Sequence, residues 1–296
     1  MRKYITLLSI ILIITSCDVV EGPYMSDITI PIDTTTTDTT TNTYLQKILI
    51  EDFTGHKCPN CPDAAIELGE ISAIYPGQII GMAIHVGSFA KPTPIIGAPY
   101  DYDFRTNSGD LVDDAFGNIS DALPRGMVNR AGYPEDSHKL GVGEWAATVA
   151  NELTKDTTFT IDISSNESSI SITSVVQKNI NGEYNLVVCL TESNIINWQQ
   201  DVGESVEDYE HNHVLRTGLI DQELSISTNY VAGQEIENTI TYDLIALEQS
   251  NKDYSISLGG NDIPGEWNPN NMSVVAYIYN TITKEIVQVE EAHLTN

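Results

Sequence analysis

Apolar and polar positions divide the chain into four stretches. Residues 7–14 form a short apolar run, and residues 18–44 carry almost no hydrophobic periodicity. Residues 45–155 alternate near-continuous apolar runs with helix-period segments. Residues 156–296 carry short runs of period two separated by turns. The predicted organisation is therefore an export signal over 1–16, a linker over 17–44, an α/β domain over 45–155 and a β domain over 156–296.

In the α/β stretch, Lys47–Phe53 reads as a strand. The segment from Pro59 to about Tyr75 reads as a helix, because Ala64, Leu68, Ile71 and Tyr75 fall on one face. Pro59 and Pro62 lie in or near its first turn, where a missing N–H costs least, and Pro76-Gly77 ends it. Gln78–Val86 is a second strand, apolar almost throughout, as in a parallel sheet covered on both faces. The segment from Gly87 to Ala122 is rich in Pro, Gly, Tyr and Asp, with a helical stretch at Asp110–Phe116; connections of such length are often functional. Gly126–Arg130 is a short strand after Leu123-Pro124, and Gly143–Lys155 a closing helix. Beyond Asp156, the runs Phe159–Ser164, Ser169–Val176, Tyr184–Thr191, Asn238–Tyr242, Tyr254–Ser257, Met272–Tyr279 and Glu285–Glu290 predict an antiparallel, sandwich-like all-β domain.

The N-terminus changes where this fold is expected to work. Arg2 and Lys3 precede the run from Leu7 to Ile14, which is too short to span a bilayer. It ends in Ile14-Thr15-Ser16-Cys17, which resembles the bacterial lipobox; an ordinary secretory signal with a chance cysteine is the less favoured alternative. Acyl chains on Cys17, palmitate among them, would hold the mature chain on a membrane. No later segment of the sequence is long and apolar enough to span. The Thr-rich stretch 33–43 reads as a tether, and Asp33-Thr34-Thr35 and Asp38-Thr39-Thr40 resemble a bacterial O-glycosylation acceptor at Thr34 and Thr39. An unmodified spacer is the alternative.

Charge narrows the partners. The chain has 14 Lys+Arg against 42 Asp+Glu, a formal charge of −28. So acidic a surface repels nucleic acid and anionic membranes and favours solubility.

Of the four cysteines, Cys17 belongs to the anchor and Cys189 sits in the buried-strand pattern Leu186–Leu190, as an inert core thiol. Cys58 and Cys61 stand three apart between an apolar strand and a helix start. A helix N-terminus carries partial positive charge and unpaired N–H groups, which stabilise a thiolate and lower its pKa. Cys58, nearer the start and expected to be the more accessible, would attack; Cys61 would resolve the mixed disulfide. A structural disulfide pinning the helix start, and a metal site, are the other readings. The metal reading lacks two further ligands of matching spacing, and no metal or cofactor is expected.

The pattern of strand, CxxC at a helix start and later proline resembles the thioredoxin superfamily. Asp52, six residues before Cys58, matches the family's buried acidic residue that assists proton transfer. Leu123-Pro124 matches its cis-proline site, where the residue before proline pairs with extended substrate. The usual aromatic before the first Cys is replaced by Lys57, after His56, whose charge would favour the Cys58 thiolate. The stretches Ile50–Pro62, Leu123–Arg130, Tyr209–Arg216 and Val274–Asn280 further resemble the outer-membrane-protein-28-related lipoproteins. That resemblance implies an outer-membrane lipoprotein, periplasmic or surface-facing, with a thioredoxin-like domain and a β-rich domain.

Two functions follow. The first is thiol–disulfide exchange on envelope or surface proteins, with Cys58, Cys61, Asp52 and Lys57 in the reaction and Leu123 and Pro124 holding substrate. The second is a non-catalytic surface binding protein or adhesin that uses the fold as scaffold and keeps the pair oxidised and buried. Elsewhere, His211 and His213 would share one face of a strand and could hold a metal, but read more simply as an exposed polar loop or strand end; His85 reads as a satisfied core histidine, and Trp145, Trp198 and Trp267 as packing residues, with a binding rim the alternative for Trp198 and Trp267. No Ser/His/Asp arrangement or phosphate-binding glycine loop is present.

Overall fold

All seven residues from Ile48 to Thr54 are buried, the apolar Ile48, Leu49, Ile50 and Phe53 together with Glu51, Asp52 and Thr54, as in a strand of a sheet covered on both sides. In this computed structural model, which describes residues 45–262 and 266–295, the elements run in chain order as follows. The first part holds β1 (Ile48–Thr54), α1 (Cys61–Ile74), β2 (Ile79–His85), α2 (Gly87–Ala90), α3 (Asn107–Ala115), β3 (Arg125–Val128) and α4 (Trp145–Glu152). Then come β4 (Phe159–Asn166), β5 (Ser169–Val176), β6 (Ile180–Asn181), β7 (Tyr184–Glu192), β8 (Ile195–Asp201), β9 (Glu204–His211) and β10 (Val214–Glu223). The last are β11 (Asn229–Tyr230), β12 (Glu235–Thr241), α5 (Leu244–Ser257), β13 (Met272–Asn280) and β14 (Ile286–His293). The expectations for Cys17, Thr34 and Thr39, and for the signal and linker, lie outside the described residues.

One mixed sheet of seven strands, in the order β14-β13-β7-β10-β2-β1-β3, draws on both sides of Asp156. β1 runs parallel to β2 and antiparallel to β3. β10 joins β2 through a parallel pairing at Val214 and Ala83, then runs antiparallel to β7. Alternation gives the sheet two chemically distinct faces. Leu49, Phe53, Met82, Ile84, Val187, Cys189 and Tyr277 pack on one. On the other, Ile48 and Ile50 meet α1 and α4 through Ala64, Leu68, Ile71, Trp145 and Val149. Farther along that face, Leu186, Val188 and Leu190 of β7 and Val274, Ala276 and Ile278 of β13 pack with Phe159, Ile170 and Ile172 of the three-stranded sheet β12-β5-β4. The sandwich pattern thus exists locally, with one of its layers shared with β1 and β2.

Helix α1 buries the predicted stripe: Ala64, Leu68 and Ile71 are inside. Trp145 begins α4 fully buried, lying against Gly126, where an added Cβ would come within 2.5 Å of the indole ring. Tyr254–Ser257, read above as a strand, is the last turn of α5; its short alternation is real, but Asp243 caps the helix by accepting from the Ala246 N–H, and the helical pattern runs through. Five strands went unseen in the sequence, the two-residue β6 and β11 and the longer β8, β9 and β10. The hairpin β8–β9 is mostly polar, and its Val202-Gly203 turn places Gly203 at φ +87°.

Candidate functional site around Cys58 and Cys61

The loop between β1 and α1 is made by close approach. A Cβ on Gly55 would sit 2.6 Å from the carbonyl carbon of Phe89, so only glycine lets α2 pack here. Lys57 N–H then donates to the Phe89 carbonyl at 3.0 Å, Cys58 N–H to the Gly55 carbonyl at 2.9 Å, and Cys61 N–H to the Cys58 carbonyl at 3.3 Å. Asn60 is the N-cap of α1, which begins at Cys61 with Pro62 in its first turn. Cys58 and Cys61 are joined by a disulfide with Cα atoms 5.4 Å apart.

The pair is covered. Cys58 is 1% exposed and Cys61 3%, so the expectation of an accessible Cys58 is corrected. The cover is the β8–β9 hairpin: Gln200 N–H donates to the His56 carbonyl at 2.7 Å, and Gln199 Nε2 donates to the Cys58 carbonyl at 3.1 Å. Sequence reasoning missed Gln199. Its inward position on a polar strand, two residues before the Asp201–Glu204 turn, was the signal available.

Asp52 lies on β1 opposite Ala83 of β2, on the face that carries α1. It is 4% exposed, its Oδ1 has no hydrogen-bond partner among the described residues, and burial pushes its carboxyl up to about 7. Asp52, Cys61, His85, Gln199, Tyr209 and His211 line one cavity of about 280 Å³ beside the C-terminal ends of β1 and β2. Brought together, then, are both cysteines and Asp52. Lys57 is half-buried at the surface; burial first, then the charges of Lys91 and Arg105, push its ammonium below its usual value. Leu123-Pro124 is a cis peptide leading into β3, whose Arg125 stands opposite Phe53. That register puts the proline at the end of β1 from which the Cys58 loop departs. Neither residue lines the Cys61 cavity, and Leu123 packs with the cluster of Phe53 and Met127 on the opposite face.

His211 also needs correction: it is 5% exposed, where an exposed strand end was expected. It closes β9 against an aromatic group, 4.5 Å from Phe104 and 5.7 Å from His85, while His85 stacks on Phe104 at 4.5 Å. His85 is in the core as expected, but its Nδ1 has no partner among the described residues. Burial lowers His56 to about 3, His211 to about 4 and His85 well below its usual value, so all three are neutral at pH 7. No cluster of His, Cys, Asp and Glu suited to a metal ion occurs among the described residues. Cys189, on the opposite face, is pushed up to about 12 by burial.

Comparison with known proteins gives the family context. The model of the outer membrane protein Omp28 family matches residues 113–296, more than half of the chain and downstream of Cys61. No curated protein matches in sequence. Among solved structures, HBP35 of Porphyromonas gingivalis superposes with a TM-score of 0.60 at 14% identity, over 85% of this chain and 76% of that one. A protein of Agrobacterium tumefaciens, AGR_C_4864, gives 0.50 at 13% identity, over 86% and 96%. A domain of the outer membrane lipoprotein Omp28 of Porphyromonas gingivalis covers 47% of this chain and 88% of its own at 16% identity, with a TM-score of 0.26. The first two likenesses are of fold alone.

Proposed function

Because the chain belongs to the Omp28 family of outer membrane proteins, we propose that it acts in the cell envelope as a thiol–disulfide exchange protein, with Cys58–Cys61 as the working couple in a thioredoxin-like half. Asp52 carries this reading. Burying a carboxyl with an unpartnered oxygen costs several kcal/mol, and a disulfide that only pins a helix needs no such neighbour. A carboxyl poised near pH 7 beside Cys61 is what proton transfer to and from the resolving thiol requires.

In the reducing direction, the Cys58 thiolate attacks one sulfur of a substrate disulfide and releases the other as a thiolate. Asp52 takes the proton of Cys61. The Cys61 thiolate then attacks Cys58 Sγ, restoring the Cys58–Cys61 bond and releasing the second substrate sulfur, and the released thiolates take up protons. Run backwards, the same steps oxidise a substrate dithiol. The field at the start of α1 favours the Cys58 thiolate, and Lys57 adds positive charge. Leu123 and Pro124 present backbone to an extended substrate at the same end of β1. Access to Cys58 requires the β8–β9 hairpin to shift. Acylation at Cys17 supplies the anchor in this reading; among the described residues no helix is long and apolar enough to cross a membrane.

The covered sulfurs favour a second reading, a non-catalytic surface binding protein whose disulfide is structural. Turnover separates the two. Exchange predicts insulin-disulfide reduction or peptide-thiol oxidation by the full chain, abolished in Cys58→Ser. No turnover in either direction contradicts it.

A further inference from the structure

On the sheet face opposite the disulfide, α3 and strands β7, β10 and β13 enclose a cavity of about 380 Å³. Its size falls within the range of small-molecule sites. Two irregularities in the pairing of β10 with β7, at Leu215/Thr217 and Gly218/Ile220, lie where β10 lines the cavity. Bulges of this kind are frequent next to binding sites.

The walls are aromatic, with Phe116, Tyr133, Tyr277 and Tyr279 among them. Arg130 stands between them, 4% exposed, its guanidinium 4.5 Å from the Phe116 ring centre and 5.1 Å from that of Tyr277. Its Nε and Nη2 are spent on the Glu51 carboxylate at 2.9 and 2.7 Å, and Nη2 also reaches the Tyr277 hydroxyl at 2.9 Å. Nη1 has no hydrogen-bond partner among the described residues. Lys284 is half-buried on the lining, and its ammonium, 5.3 Å from the Tyr279 ring centre, has no ion pair or hydrogen bond among the described residues. The acidic member, Asp221, is already engaged by the Tyr279 hydroxyl and the Asn185 amide.

An apolar aromatic box therefore holds two cationic groups with unspent donors, while its carboxylates are occupied. We infer that this cavity binds a small aromatic carboxylate, its ring among Phe116, Tyr277 and Tyr279 and its carboxylate accepting from Arg130 Nη1 and Lys284 Nζ. Stacking and cation–π contact would hold the ring; the charge-assisted bonds would select the anion over its alcohol.

The test is titration of the full chain with 2-naphthoate and, separately, with 2-naphthalenemethanol, followed by calorimetry and by NMR. The expected result is saturable one-to-one binding of naphthoate, roughly tenfold or more tighter than the alcohol, consistent with a charge-assisted bond. Shifts should centre on Tyr277, Tyr279 and α3. Lys284→Gln should remove most of the preference while leaving the alcohol bound as before. Val112→Trp, which fills the cavity from α3, should abolish both. The inference is overturned by absence of saturable naphthoate binding to the wild type, by equal affinity for the alcohol, or by shifts mapping elsewhere. These wild-type readings stand even if Val112→Trp fails to fold.

Discussion

The Gln199 amide donates to the Cys58 carbonyl at 3.1 Å, across 141 residues of sequence. The same nitrogen lies 2.9 Å from the Gln200 carbonyl, so one buried side chain fastens the β8–β9 hairpin to the CxxC loop.

Gln199→Ala should therefore uncover the site. It leaves the Cys58 carbonyl with the Cys61 N–H alone, at a cost of about 0.5–1.5 kcal/mol. After reduction, Cys58 in the variant should react with iodoacetamide several-fold faster than in the wild type at the same pH. An unchanged alkylation rate with an equally low melting temperature would show that the hairpin is packing and not a cover.

Asp52→Asn should slow exchange by about 10²-fold or more, within the range of a lost general acid–base, while leaving the disulfide able to form. The stability signature is separate. A carboxyl with an unfolded value of 3.8 held at about 7 in the fold binds its proton more tightly when folded. Stability from this group is full below pH 3.8 and is lost as pH rises through 7, by about 4 kcal/mol. Between pH 4 and 8, urea melts should therefore move the variant's stability relative to wild type upward by roughly that amount. A flat difference would mean that Asp52 ionises normally.

The histidines act in the opposite sense. His56, His85 and His211 titrate near 6.5 when unfolded and lower in the fold, so the unfolded chain takes up more protons as pH falls from 6.5. Three histidines against one aspartate give a net loss of stability from pH 6.5 to about 4. His85→Phe, which keeps an aromatic ring beside Phe104, should make that acid slope shallower in pH-dependent urea melts. The same slope in the variant would show that His85 does not contribute.

Glu51 and Arg130 form a buried ion pair at 2.7 Å, and truncating one partner leaves the other charge uncompensated. Glu51→Gln should cost about 3–5 kcal/mol. The double variant Glu51→Leu, Arg130→Met should recover a large part of that in thermal melts; equal losses in both would show that the pair's net hydrogen bonding, not the stranded charge, dominates.

Much of this architecture was legible because its residues obey simple periods. The fully buried β1, the Ala64-Leu68-Ile71 stripe of α1 and the runs of β4, β5, β7 and β13 were all marked by apolar spacing. The β8–β9 hairpin was not, because its deeply buried positions are Gln199 and His211, and a rule that searches for apolar alternation passes over them. The joining of β10 to β2 hides for a related reason: a parallel pairing between residues 83 and 214 leaves no local mark in the sequence. The pair Cys58 and Cys61 and the position of Asp52 could be read from spacing; their burial could not, since the cover comes from far along the chain.

The most direct measurement is equilibration of the full chain in glutathione buffers, with the Cys58/Cys61 state read by thiol labelling and mass. A working couple should titrate between about −270 and −120 mV, the span of exchange proteins, with a midpoint whose pH dependence changes slope near 7 as Asp52 ionises. A bond that stays oxidised below about −300 mV, as structural disulfides do, with no break in slope near pH 7, would contradict the account.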